Sequence, residues 1–171
     1  MLSLTRFVLG FLSCLYTQVT ATADHKVEAI NTSYIKDFHC PATTHAHLIQ
    51  DKLQAAMDRF AYHFYVEKDV DAAFNKYVAS NYVQHDPNIL DGRDAAIESL
   101  SPLFGAKGNT FEIARVMVGP EYTTIHIKAL TDGQPPFNVF DVYRTIGSCI
   151  VEHWDCMKEI VNNTASTHPY F

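Results

Sequence analysis

The chain reads as an α+β domain, with helices in its first half and a run of antiparallel strands in its second. Two observations predict this. Between residues 45 and 104 apolar side chains recur at three- and four-residue intervals, the period of amphipathic helices. Beyond Gly105 the chain changes to β-branched and aromatic residues in short runs punctuated by Gly, Pro and Asp, as consecutive strands require. Helices followed by a β-meander place the helices over one face of an antiparallel sheet.

Residues 1–23 open with the single cation Arg6, continue through the apolar run Phe7-Val8-Leu9-Gly10-Phe11-Leu12-Ser13-Cys14-Leu15-Tyr16 and close on Ala21-Thr22-Ala23. This is the pattern of a secretory signal peptide, and its apolar run is shorter than the roughly 20 residues that cross a bilayer. Cleavage after Ala23 leaves a secreted chain starting at Asp24 with no membrane anchor. Residues 24–44 lack a sustained period and contain Pro41, which predicts an extended arm, with Thr43 or Thr44 capping the helix that follows. The folded domain is expected over 45–171.

From His45 the stripe Leu48, Ile49, Leu53, Ala56, Met57, Phe60 and Phe64 predicts one long helix. Asp69 restarts the pattern, and Val70, Ala73, Phe74, Tyr77 and Val78 predict a shorter second helix. Tyr82-Val83-Gln84-His85 then reads as a short extended piece ended by Asp86-Pro87. Asp91-Gly92-Arg93-Asp94 opens a third helix that buries Ala95, Ile97, Leu100, Leu103 and Phe104. Strands follow at 110–118, 122–130, 137–145 and 149–157. In the last hairpin a three-residue loop, Ile146-Gly147-Ser148, pairs Thr145 with Cys149 and sets Asp141 opposite His153. A two-residue Gly147-Ser148 loop opposes Asp141 to Trp154 instead, and a one-residue slip reverses every side chain. The three-residue loop is the expectation, because it puts Asp141 on the face of His153.

The 171 residues include 13 basic and 19 acidic side chains, a net charge of −6, with 47% hydrophobic and 19% charged residues. That excludes a disordered chain and a multispan membrane protein. Without a lysine or arginine cluster there is no electrostatic footprint for nucleic acid. Two acceptor sequons, at Asn31 and Asn162, lie near the ends of the mature chain, where glycans project into solvent. Removing Cys14 leaves Cys40, Cys149 and Cys156. At about 3.3 Å per residue on one strand, Cys149 and Cys156 lie far beyond the roughly 4.4–6.8 Å a disulfide spans, so any internal bridge uses Cys40. No metal-type cysteine spacing is present, and no metal is expected.

Chemistry concentrates in the strands. Alternation points His153 and Asp155 one way and Trp154 the other. If that face lies under the helices, the pair sits in a partly desolvated place suited to general acid–base work. His126, within Thr124-Ile125-His126-Ile127, and Asp141, within Phe140-Asp141-Val142, are polar residues between apolar ones. Convergence of His126, Asp141, His153 and Asp155 on one face is the expectation that makes a site, with His85 closing its mouth. There is no Gly-x-Ser-x-Gly elbow, no dinucleotide fingerprint and no His-Glu-x-x-His helix. His45, His47 and His63 read as helix-surface residues.

The ordered set Tyr82-Val83-Gln84-His85-Asp86-Pro87, Asp91-Gly92-Arg93, His126, Asp141-Val142-Tyr143-Arg144 and Ile150-Val151-Glu152-His153-Trp154-Asp155 resembles the SnoaL-like polyketide cyclases of the nuclear transport factor 2-like superfamily. The resemblance spans nearly the whole mature domain. It implies a cone-shaped α+β barrel enclosing an apolar pocket, as in ketosteroid isomerase, scytalone dehydratase and limonene epoxide hydrolase. It also implies cofactor-free aldol-type cyclisation or dehydration of a polyketide-like carbonyl compound in secondary metabolism. Asp155 is then the acid/base, His153 its support, and His126, Asp141, His85 and Tyr82 line the pocket. A homodimer is implied as well. The signal peptide departs from the cytoplasmic cyclases, and Ser148 stands where relatives carry the turn glycine. Two alternatives share the cone: a non-catalytic secreted ligand-binding domain, and epoxide hydrolysis by Asp141, Asp155 and Arg144. The last ranks lowest because Arg144, three positions from Asp141 in a regular strand, points to the opposite face.

Overall fold

The computed structural model describes Cys40 and residues 50–171. The signal peptide, the arm apart from Cys40, the Asn31 sequon, the Thr43/Thr44 cap, His45 and His47 lie outside the described residues. Helix α1 (Gln50–Ala61) buries Leu53, Met57, Phe60 and Ala61, the stripe its sequence carries, with Asp51 in its first turn and Arg59 in its last to complement the helix dipole. It runs on into one π-turn, Tyr62–Val66, closed by the Glu67 amide on the Tyr62 carbonyl at 3.0 Å. The wider turn buries both Phe64 and the adjacent Tyr65. Lys68 takes a φ of 58° and breaks the helix. Asp69 then caps α2 (Val70–Tyr77), its side chain accepting the Ala72 amide at 2.9 Å.

Strand β1 (Val78–Gln84) leaves α2 directly. Gly92, at a φ of 97° with its amide on the Tyr82 carbonyl, turns the chain into α3 (Arg93–Gly105). That helix starts two residues later than its sequence suggests, because Asp91 is spent accepting the Gln84 amide at 2.8 Å. Its buried side holds Ala96 and Phe104 with Ile97 and Leu100 packed beside them, while Leu103 is half exposed. No described helix is long and apolar enough to cross a membrane.

Strands β2 (Asn109–Val118), β3 (Tyr122–Thr131), β4 (Phe137–Ile146) and β5 (Cys149–Glu159) form the expected meander, and the sheet order is β1-β5-β4-β3-β2. The sheet is mixed, not wholly antiparallel, since β1 runs parallel to β5. The sequence predicts only a short extended piece at 82–85; β1 is a full edge strand that starts at Val78 and pairs with β5. One irregularity, between Ile113 and Arg115, lets Phe111, Ile113, Val116 and Val118 all pack against the core.

The last hairpin corrects the expected register. Ile146 pairs with Cys149, so the loop is the two-residue Gly147-Ser148, with Gly147 at a φ of 59° as the first position of a II′ turn demands. Yet Asp141 does not meet Trp154. The register shifts between Arg144 and Thr145, where Thr145 opposes Ile150 and Arg144 opposes Glu152. This bulge at Val151 restores the parity that the shorter loop removes, and Asp141 lies opposite Asp155.

Cys40 is bridged to Cys149, with Cα atoms 5.7 Å apart, and both are buried. This fulfils the expectation that a bridge must use Cys40. Cys156 is a free, exposed thiol on β5.

Candidate functional site

Between the helices and the inner face of the sheet lies a cavity of about 160 Å³. Its aromatic wall comes from the π-turn, α2, α3 and β2, where Phe104 stacks on Phe64 at 4.2 Å and on Phe111 at 4.3 Å. Ile127, Ala129 and Val139 line it from the sheet. Its polar groups are Tyr82, Gln84, Asp86, Asp141, Tyr143, His153 and Asp155. Among the described residues no lysine or arginine lines it.

These groups form one chain of hydrogen bonds. The Tyr65 hydroxyl donates to Asp141 Oδ2 at 2.6 Å, so the 2.8 Å contact between the two phenol oxygens must be Tyr143 donating to Tyr65. Asp141 Oδ1 lies 3.1 Å from His153 Nε2, and His153 Nδ1 lies 2.9 Å from Gln84 Oε1. Gln84 Oε1 also accepts the Asp86 amide, and Gln84 Nε2 donates to the Tyr82 hydroxyl at 2.7 Å. Asp86 in turn accepts from the backbone and side chain of Asn88. Asp155 differs from the other carboxylates: among the described residues no side chain donates to it.

Burial raises the phenols of Tyr65 and Tyr143 well above the usual range, with the charge of Asp141 the next cause. Tyr82 is raised in the same way, by burial first and by Asp141 second. All three hydroxyls therefore keep their protons. The Asp155 carboxyl is raised by partial desolvation first and by the charge of Asp141 second, with Asp86 adding and His153 pulling it down.

The expected convergence is met by Tyr82, Asp141, His153 and Asp155, and not by two histidines. His126 opposes Phe140 in the β3–β4 register, so it lies on the other face of the sheet, stacked between Phe140 at 4.1 Å and Phe171 at 4.8 Å with Nε2 2.6 Å from Asn138. His85 is likewise outside the cavity, stacked on Trp154 at 4.4 Å and 6°. One residue beyond Gln84, it takes the opposite side of the chain, and Asp86 stands at the mouth in its place. His153 does not hold Asp155 by a hydrogen bond; its nitrogens serve Asp141 and Gln84, and it reaches Asp155 only through charge. Arg144 bonds Glu152 at 2.5 Å on the Trp154 face, out of reach of the cavity.

Besides Asp86, three contributors escaped sequence reasoning. Gln84 shares Tyr82's side by simple alternation, a usable signal. Tyr143 likewise follows Asp141 by two. Tyr65 had a weaker one, standing four residues beyond Ala61 and eight beyond Met57 at the edge of the helical stripe, where the π-turn takes it inward.

No family model matches the chain, and no curated protein matches it in sequence. Solved structures do match in three dimensions. An NTF-2 like protein of unknown function from Burkholderia xenovorans superposes with a TM-score of 0.56 at 13% identity, over 68% of this chain and 90% of that one. The fold is nuclear transport factor 2-like. A protein assigned as a polyketide cyclase from Acidithiobacillus ferrooxidans superposes at 0.52 and 16% identity over 64% and 90% of the two chains. A Bacillus cereus protein of the same assignment gives 0.53 and 17% over 64% and 78%. At such identities the likeness speaks for the NTF2-like cone, and the site must speak for the chemistry.

Proposed function

We propose that this chain is a secreted, cofactor-free acid–base enzyme that removes a proton next to the carbonyl of a neutral, apolar, polyketide-like substrate, leading to aldol-type cyclisation or dehydration. Asp155 is the base. The observation that carries this is the inventory of carboxylates: Asp141 and Asp86 accept from protein side chains, while among the described residues Asp155 receives only its own backbone amide, and partial burial and the charge of Asp141 raise its carboxyl above the usual range. Tyr82 completes the pair. Its oxygen accepts from Gln84, and its own hydrogen finds no acceptor among the described residues, which leaves it to donate to the oxygen of an enolate. The apolar walls hold the carbon skeleton. Three carboxylates and no lysine or arginine in the lining disfavour an anionic substrate.

Secretion draws support from the Cys40–Cys149 bridge, since disulfides persist in oxidising compartments. The exposed position of Asn162 suits a glycan.

Single-turnover rates and binding of an enolisable aryl ketone, compared between the wild type and Asp155→Asn, test the reading. Loss of a general base typically costs 10²–10⁴-fold in rate, here with affinity nearly unchanged. Full activity in the variant refutes the assignment. Tight binding of such compounds with no turnover in either protein favours a carrier.

A further inference from the structure

We propose that Gln84 is a positioning residue that fixes the imidazole of His153 in its Nδ1–H form and so makes the His153–Asp141 bond depend on a second, shared proton. Gln84 is buried on β1, directly opposite His153 in the parallel pairing with β5. The orientation of its amide follows from a partner that can only donate. The backbone N–H of Asp86 approaches the same atom that faces His153, so that atom is the carbonyl Oε1. The other end, Nε2, then donates to Tyr82, and the Gln84 backbone amide is anchored on Asp91. Both the amide group and the backbone N–H of Gln84 are spoken for. His153 Nδ1 faces an acceptor and must carry hydrogen.

The second ring nitrogen also faces an acceptor, Asp141 Oδ1. A histidine paired with a carboxylate alone satisfies that bond with its single hydrogen on Nε2. Here Gln84 has claimed that hydrogen for Nδ1, so the Nε2–Oδ1 contact holds only with one more proton, on the ring or on the carboxyl. Tyr65, donating to Oδ2, fixes which lone pairs of Asp141 remain for it. The arrangement gives the site a proton store on the same sheet face as Asp155, which lies opposite Asp141. Its use in turnover rests on the acid–base reading above; the tautomer does not.

The test is long-range proton–nitrogen imidazole spectroscopy on the ¹⁵N-labelled, substrate-free protein, with the His153 signals assigned through His153→Gln. Wild type should show a protonated Nδ1. Gln84→Glu, which keeps an acceptor at this position, should show the same. Compared at a pH where the ring carries a single hydrogen in both proteins, Gln84→Leu should move the tautomer ratio roughly fivefold toward Nε2–H, the equivalent of one neutral hydrogen bond of about 1 kcal/mol. An unprotonated Nδ1 in the wild type overturns the proposal without recourse to any variant, and so does an unchanged ring pattern in a folded Gln84→Leu protein. No substrate enters the measurement, so an inactive or indifferent Asp155→Asn protein bears only on the carbonyl chemistry.

Discussion

Removing the hydroxyl of Tyr65 should cost more stability than removing that of Tyr143, and removing both should cost no more than removing Tyr65 alone. The structure supplies the arithmetic. Tyr65 donates to a buried carboxylate, and a hydrogen bond to a charged group is worth about 1.5–3 kcal/mol. Tyr143 donates only to the neutral oxygen of Tyr65, a bond worth about 1 kcal/mol. In Tyr65→Phe the Tyr143 hydroxyl is left buried without its acceptor, which adds a desolvation penalty of about 1 kcal/mol or more to the lost charged bond. In the double variant that orphan is gone, so Tyr143→Phe becomes neutral or stabilising in the Tyr65→Phe background. The non-additivity expected in the cycle is about 1–2 kcal/mol. Urea unfolding of the four proteins at neutral pH, with equal m-values as the control for a common native state, measures it. Additive losses, or a Tyr65→Phe protein within about 0.5 kcal/mol of wild type, which is surface-mutation behaviour, would refute the hydrogen-bonded chain.

Asp155→Asn should stabilise the fold while it abolishes turnover. A carboxyl whose folded pKa is raised opposes folding once ionised, and this opposition is present above the folded value and disappears as pH falls toward the unfolded one. Thermal unfolding should therefore show the variant ahead at pH 7 and level with the wild type in acid; a variant behind at pH 7 contradicts the burial argument. Reducing the Cys40–Cys149 bridge, whose ends are 109 residues apart, should cost about 5 kcal/mol in the chain-entropy account. Urea midpoints with and without dithiothreitol measure it, and an unmoved midpoint would mean that the denatured chain is not constrained by this link. An aryl ketone should bind more tightly than the carboxylate analogue of the same skeleton; calorimetry finding the reverse would deny the negative potential of the lining.

The sequence by itself determined the order and type of the elements, because periods of 3.6 and 2 are local properties of the side chains that bury. The bounds of all four meander strands agree with those runs to within two residues. It also set Tyr82 with Gln84, Asp141 with Tyr143 and His153 with Asp155, since alternation along one strand needs no partner. Sequence did not decide how strands align on one another. The face of His126 was half legible: Ile125 and Ile127 make the apolar side of β3, which leaves His126 outward. Asp141 offered no such clue, because Val139 and Tyr143 on its side are as apolar as Phe140 and Val142 on the other. Its position depended on a turn and a bulge at Val151 acting together, a shorter loop shifting the register and the bulge shifting it back. Such devices are settled by the packing of Ile150, Val151 and Cys149 into the core, contacts between residues far apart in the chain. Tyr65, at the edge of the helical stripe, entered through the π-turn for the same reason, since Phe64 and Tyr65 are buried side by side only once the sheet and α3 are there to receive both rings.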